Sequence, residues 1–208
     1  TNIKLIYSKS SHTAELNGLI NAKDHFDSFK IKEIYNYNKK SFDINGNIEL
    51  TNSKVKISRL NYIKDHGKKS EISFDVNYVL NKYYNIKNLI FLADKTKIHL
   101  SNIKFNKNFE VKDFKRLEIK TFVNKIKNND FAVKKAEKVT ISGEVFDAQP
   151  LLQSLFKKSH KKIFSKNFNS EIKINLKKAE KVTISGEVFD AQPLLQSLFK
   201  KSDKKTFG

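Results

Sequence analysis

The sequence predicts a mainly β fold: an antiparallel twisted sheet forming an open trough or curved sheet, with one or two short α-helices. Three observations carry this expectation. Apolar residues recur at every second position, clusters of Asn, Asp and Gly separate the alternating stretches, and only one stretch, with its copy, is punctuated as a helix.

Phe42, Ile44, Ile48 and Leu50 share one parity, with Gly46 between them, as a strand with one buried face requires. Ile72, Phe74, Val76 and Tyr78 repeat the pattern, followed by Ile98 and Leu100, Ile103 and Phe105, Phe109 and Val111, and Leu117 and Ile119. The intervening positions are mostly Lys, Asn, Ser, Asp and Glu, so one face of the sheet is expected to be oily and the other wet. Turns are expected at Asn45-Gly46, at 65–68, at 106–108 and at Asn128-Asn129-Asp130, and short connections of this kind imply antiparallel neighbours. Residues 81–85 read as a longer loop carrying Tyr83 and Tyr84. The nearly continuous apolar run 86–92 reads as a fully buried strand.

The single helix pattern spans 147–158. Asp147 stands where an N-cap belongs, Pro150 falls in the first turn, and Lys157 and Lys158 close the last. Leu151, Leu152, Leu155 and Phe156 form its apolar stripe, and a helix this short is held only by packing on the sheet.

Composition narrows the function. The chain has 208 residues with 41 Lys+Arg against 22 Asp+Glu, a net charge of +19 that draws it to any anionic surface. Only Arg59 and Arg116 are arginines, whereas nucleic-acid readers rely on the guanidinium fork, so single-stranded nucleic acid is disfavoured as a partner. Lys, Asn and Ile are abundant together, as codon bias in an AT-rich genome produces, so the basicity need not mark a binding site. The absence of cysteine excludes disulfides, thiolate metal sites and cysteine nucleophiles. No run approaches the roughly 18 apolar residues of a membrane helix. The chain starts at Thr1 and has no methionine, so it is expected to be a segment of a longer protein, with any membrane anchor outside it.

Residues 134–159 recur unchanged as 177–202, and the likeness extends to Phe164 and Phe207 with only His160/Asp203 and Ile163/Thr206 differing. Solenoid repeats drift between core positions, so an unchanged copy reads as an assembly artefact or a very recent duplication, the former favoured. The expected organisation is a β-meander over 1–133, a strand-helix-strand unit over 134–176, and a duplicate over 177–208.

No constellation favours catalysis. His12, His25, His66, His99 and His160 are scattered without metal-ligand spacing, and Asp24, Asp27, Asp43 and Asp75 are unpaired in sequence. Six glycines form no phosphate loop and no nucleophile elbow. The chain is therefore expected to be non-enzymatic, with no cofactor and no metal. Aromatics interleave with lysines, as in 26–30 and 35–40, a pattern of stacking platforms and also of ordinary strands; shared parity with Ile and Val favours the strand.

The unit 139–152 needs only structural roles: Val139, Ile141 and Val145 alternate as a strand, Gly143 permits a close backbone approach, and Asp147 caps the helix. This unit resembles the AsmA-like superfamily, in particular its large YhdP-type and alphaproteobacterial members, in which a strand ending in Gly and a Phe-Asp or Leu-Asp pair leads into a Pro-Leu-Leu helix. The matching residues are Gly143, Phe146, Asp147, Pro150, Leu151 and Leu152, repeated as Gly186, Phe189, Asp190, Pro193, Leu194 and Leu195. The strands over 41–146 are similar to that family's successive short strands, and 169–176 to the strand after its helix; the second copy interrupts that strand. The resemblance implies a periplasmic portion of an inner-membrane-anchored envelope protein whose β-groove carries phospholipid acyl chains toward the outer membrane. Phe42, Ile44, Ile48, Leu50, Ile72, Phe74, Val76, Tyr78, Ile98 and Leu100 are the groove candidates, although alternation alone does not separate a groove lining from a covered core. Anionic membrane surfaces and other envelope proteins are the further partners expected, and a scaffold module with a closed core is the alternative.

Overall fold

The computed structural model describes residues 1–22, 24–136 and 139–147, and the backbone of 172–179. It is an open, mainly antiparallel sheet, as the alternation predicts. From one edge the main sheet runs through β1 (Asn2–Tyr7), β2 (Ser11–Ala22), β3 (His25–Asn36) and β4 (Ser41–Glu49). It continues through β7 (Ser70–Val79), β8 (Tyr83–Ala93), β9 (Thr96–Asn106), β11 (Arg116–Val123), β12 (Ile126–Lys135), β13 (Val139–Phe146) and β14 (Ile172–Ala179), with the short β10 (Val111–Asp113) also paired to β9. The order is linear, so the sheet does not close into a barrel. It runs unbroken past residue 133.

The excursion between β4 and β7 holds a second, two-stranded sheet, β5 (Val55–Ile57) with β6 (Tyr62–Lys64), joined by a 3₁₀ turn over Ser58–Leu60. That turn is the only helix among the described residues. Of the stretch expected to be helical only Asp147 is described, and Pro150, Leu151, Leu152, Gly186, Phe189, Asp190, Pro193, Leu194 and Leu195 lie outside the described residues.

Register makes the two faces. Gly46 pairs with Ile31 on one side and Phe74 on the other, then Phe74 with Leu89, Leu89 with Leu100, Leu100 with Leu117, Leu117 with Val133 and Val133 with Ile141. Directly paired residues lie on the same face, so this row and its parallels form one apolar surface. Its reverse carries Asp43, Asn45, Asn77, Asp75, His99, Lys97, Glu118 and Lys120.

Four local expectations are corrected. Asn45-Gly46 is inside β4, where a Cβ on Gly46 would lie 2.7 Å from Phe74 Cζ and 2.8 Å from the Lys30 carbonyl oxygen. Glycine there admits an aromatic ring from the next strand and makes no turn. Asn128-Asn129-Asp130 lies in β12, and the hairpin tip is Asn124-Lys125, with φ of 49° and 66° at its two residues. Positive φ at both central residues matches the twist of the strands, and the missing glycine hid it from the sequence. Residues 81–85 are not a long loop: the turn covers 80–82 with Asn81 at φ 60°, and Tyr83 and Tyr84 already belong to β8. Nor is 86–92 buried on both sides, since Phe91 is buried and Leu92 faces outward at 38% exposure.

The sheet's last pair also departs from the meander. β13 and β14 are parallel, from Val139 opposite Ile172 to Phe146 opposite Ala179. Parallel neighbours require a crossover connection, and residues 147–171 supply its length.

Candidate functional site

The apolar face divides into an uncovered half and a covered half. Over β8 to β13 the strap formed by residues 51–69, with β10 and the residues after it, packs onto the sheet. Leu60, Tyr62, Val111 and Phe114 join Phe91, Ala93, Ile98, Ile103, Leu117, Ile119, Phe131, Val133, Val139 and Ile141 in one core. The Tyr62 ring stands edge-on to Phe91 at 6.0 Å. Asn102, at φ 51°, bends β9 where its partner changes from β11 to β10.

Buried polar side chains hold the strap at both ends. Asn129 donates to the Leu60 carbonyl at 3.0 Å and to the Thr121 hydroxyl at 2.9 Å, and its own oxygen accepts the Asp147 N–H at 3.0 Å. Asn128 donates to the same Leu60 carbonyl at 3.0 Å. At the other end Asp27 accepts from the Asn52 N–H at 2.7 Å and from the Ser53 hydroxyl at 2.6 Å. Burial raises the Asp27 pKa, but those hydrogen bonds and the charge of Lys64 outweigh it and hold the carboxyl below its ordinary value. Lys64, also buried, donates to the carbonyls of Leu50, Thr51 and Lys68, and its desolvation lowers its own pKa. Asp27 and Lys64 are thus structural anchors.

Over β1 to β4 and β7, away from Asp27 and Ile72 at the strap's margin, the apolar face is left open. Ile3, Leu5 and Tyr7 of β1 are 64%, 52% and 69% exposed. Leu16, Phe29, Ile31, Phe42, Ile44, Ile48, Phe74, Val76 and Tyr78 are all half-buried by their neighbours in the sheet. The ten groove candidates therefore share a face but not an environment. Phe42, Ile44, Ile48, Phe74, Val76 and Tyr78 line the open half, Leu50, Ile72 and Leu100 abut the core, and Ile98 is inside it. Sequence reading named no strand over β1 or β2 and reached β3 only through the aromatics of 26–30 and 35–40, although the three supply half of this surface. Their alternation is broken by Asp27 and Glu33 on the oily face and Leu19 on the other.

One end of this face bears an aromatic row in continuous register: Tyr7, His12, Tyr35, Phe42, Tyr78, Tyr84 and Phe105, one from each of seven strands. Tyr35 and Phe42 lie 4.4 Å apart, Tyr78 stacks on Tyr84 at 4.4 Å, and Phe109 stacks on Tyr84 at 4.4 Å. The row at the opposite end is largely polar, with Asp27, Ser70, Thr96, Thr121 and Asn129 all buried, and includes Ala93 and Ile20.

No protein-family model, curated protein or solved structure matches the chain.

On the reverse face many of the charges are paired. Lys87 lies 2.9 Å from Asp43 and 3.6 Å from Asp75, Lys32 3.2 Å from Glu15, and Lys127 2.8 Å from Asp130 and 2.6 Å from Glu144. The Lys87 bond holds the Asp43 carboxyl below its ordinary value and raises Lys87 in turn. Among the described residues no group of three His, Cys, Asp or Glu is placed to hold a metal ion, and no helix is long and apolar enough to cross a membrane. Gly143 and Phe146 of the motif occupy β13, where Gly143 faces Phe131 across a bulge and Phe146 meets Phe131 edge-on at 4.9 Å.

Proposed function

We propose that this chain is a segment of an AsmA-like envelope protein and that its open apolar half-face shelters phospholipid acyl chains passing between the inner and outer membranes. The observation that supports this most directly is the uncovered run of Phe, Ile, Leu and Tyr side chains from β1 to β7, backed by a reverse face that is mainly polar across β4 to β7 and carries exposed Ile6, Leu19 and Phe26 nearer the β1 edge. Surfaces of this extent are rare on monomers unless something binds them. An acyl chain of about 16 carbons carried through water costs on the order of 0.8 kcal/mol per methylene, roughly 12 kcal/mol in all, and a continuous apolar lining removes most of that. The groove candidates act by contact and the protein does no covalent chemistry; the anchor, in this reading, belongs to another part of the parent protein. A second reading, a scaffold for other envelope proteins, draws support from β1, which ends the described sheet with all six of its residues exposed.

Photo-crosslinking in cells separates the two. A benzophenone side chain at Phe74 or Phe42 is expected to yield phospholipid adducts, and one at Ile98, under the strap, none. Protein adducts alone at Phe74 and Phe42 would replace the groove with the scaffold.

A further inference from the structure

The aromatic end of the open face carries four chain reversals: 8–10, 37–40, 80–82 and 107–110. They form one ledge. The Tyr37 N–H donates to the Ser10 carbonyl at 2.9 Å, the Leu80 N–H donates to the Lys40 carbonyl at 3.0 Å, and Phe109 leans over Tyr84. On this ledge stand Lys9, Lys40, Lys82 and Lys107, all exposed. None makes an ion pair among the described residues, whereas Lys32, Lys87, Lys97, Lys120 and Lys127 of the reverse face are each paired with a carboxylate. The only acid within these reversals is Glu110, which accepts from Asn106 at 2.7 Å. At the opposite end of the sheet Asp24, Asp65 and Asp94 are interspersed with the lysines, and over β8 to β13 the strap covers the apolar face.

We infer that the lysine ledge above the aromatic row binds the anionic phosphate head groups of phospholipids whose acyl chains lie on the open face. This rests on the groove reading and deepens it by naming the lipid class, anionic over zwitterionic. The physical logic is adjacency. A phospholipid joins a phosphate to oily chains, and at this rim an uncovered apolar surface meets exposed lysines that make no ion pair among the described residues. Neighbouring strands lie about 4.8 Å apart, so reversals at alternate gaps present a cationic tip roughly every 10 Å along the groove. Tyrosines, apolar in the ring and polar at the hydroxyl, suit the boundary between the two layers.

The test titrates the full chain with dihexanoylphosphatidylglycerol, dihexanoylphosphatidylcholine and inorganic phosphate, each lipid below its micellar concentration. Tyrosine fluorescence reports it, because Tyr7, Tyr35, Tyr37, Tyr78 and Tyr84 of the chain's 7 tyrosines stand at this ledge. The phosphatidylglycerol is expected to bind about tenfold more tightly than the phosphatidylcholine, the sum of two or three exposed ion contacts, with the preference fading as salt rises. Replacing Lys9, Lys40, Lys82 and Lys107 by serine is expected to abolish the preference and keep phosphatidylcholine binding. Replacing Lys68, Lys69, Lys95 and Lys125 by serine removes equal charge from the opposite end and is expected to leave the preference intact. Equal affinity for both lipids, or equal loss of preference in both variants, overturns the ledge and leaves the groove standing. Inorganic phosphate binding as tightly as the phosphatidylglycerol overturns it in favour of a plain anion site. Failure of both lipids to bind overturns the groove, and the ledge with it.

Discussion

The two halves of the sheet are built from the same alternating code and end in different states. From β8 to β13 Phe91, Ile98, Ile119 and Phe131 are nearly inaccessible beneath the strap; from β1 to β7 Phe29, Phe42, Ile44 and Phe74 occupy equivalent positions and remain half-exposed. The difference lies in what folds back over the sheet. One insertion between β4 and β7, and a shorter one around β10, convert half of a continuous oily surface into a core. Stability therefore resides in the covered half, which leaves the other half available for a ligand.

The largest effect that sharpens this contrast is a pair of truncations. Phe91→Ala is expected to cost about 3–5 kcal/mol and Phe74→Ala, with solvent already at its ring, about 1–1.5 kcal/mol, measured by urea unfolding. Equal losses would erase the distinction between the halves. An intermediate effect concerns the strap's anchor at β3. Because Asp27 is held below its ordinary pKa in the folded chain, its contribution is complete above the unfolded value of about 3.9 and is lost as pH falls through the lower folded value. Asp27→Asn is thus expected to destabilise the chain by about 1–2 kcal/mol at pH 7, with the gap from the parent closing in acid. A gap constant down to pH 2 would mean that the charge of Asp27 has no part in holding the strap. The smallest effect is on the reverse face. Lys87→Ser removes exposed ion pairs with Asp43 and Asp75 and is expected to change stability by under about 1 kcal/mol and leave lipid adducts at Phe74 unchanged. A loss of adducts would place the groove on the wrong side of the sheet.

Legibility followed the strength of the period-two signal. β4, β7 and β9 were readable because Phe42 to Leu50, Ile72 to Tyr78, and Ile98 with Leu100 alternate cleanly against polar neighbours. β2 was not, and β3 only through its aromatics, since Glu33 sits on the oily face beside His12 and Asp27 is buried at its end, and both look like solvent-side residues in a linear string. Turn chemistry misled in the other direction. Gly46 and Asn129 carry turn-forming identities, yet one makes room for the Phe74 ring and the other pins Leu60 to β12, and both reasons involve strands distant in sequence. The aromatic row was legible only as isolated Tyr and Phe residues, because its continuity depends on the register of six strand pairs.

By itself the sequence determined that this chain is a β-sheet with an oily side and a watery side, because side chains alternate across a strand whatever it pairs with. Which of the oily residues would be covered, and which left as an open surface with lysines along its rim, was decided only in three dimensions. Cover comes from an insertion folding over strands far from it in the chain, and alternation carries no information about that.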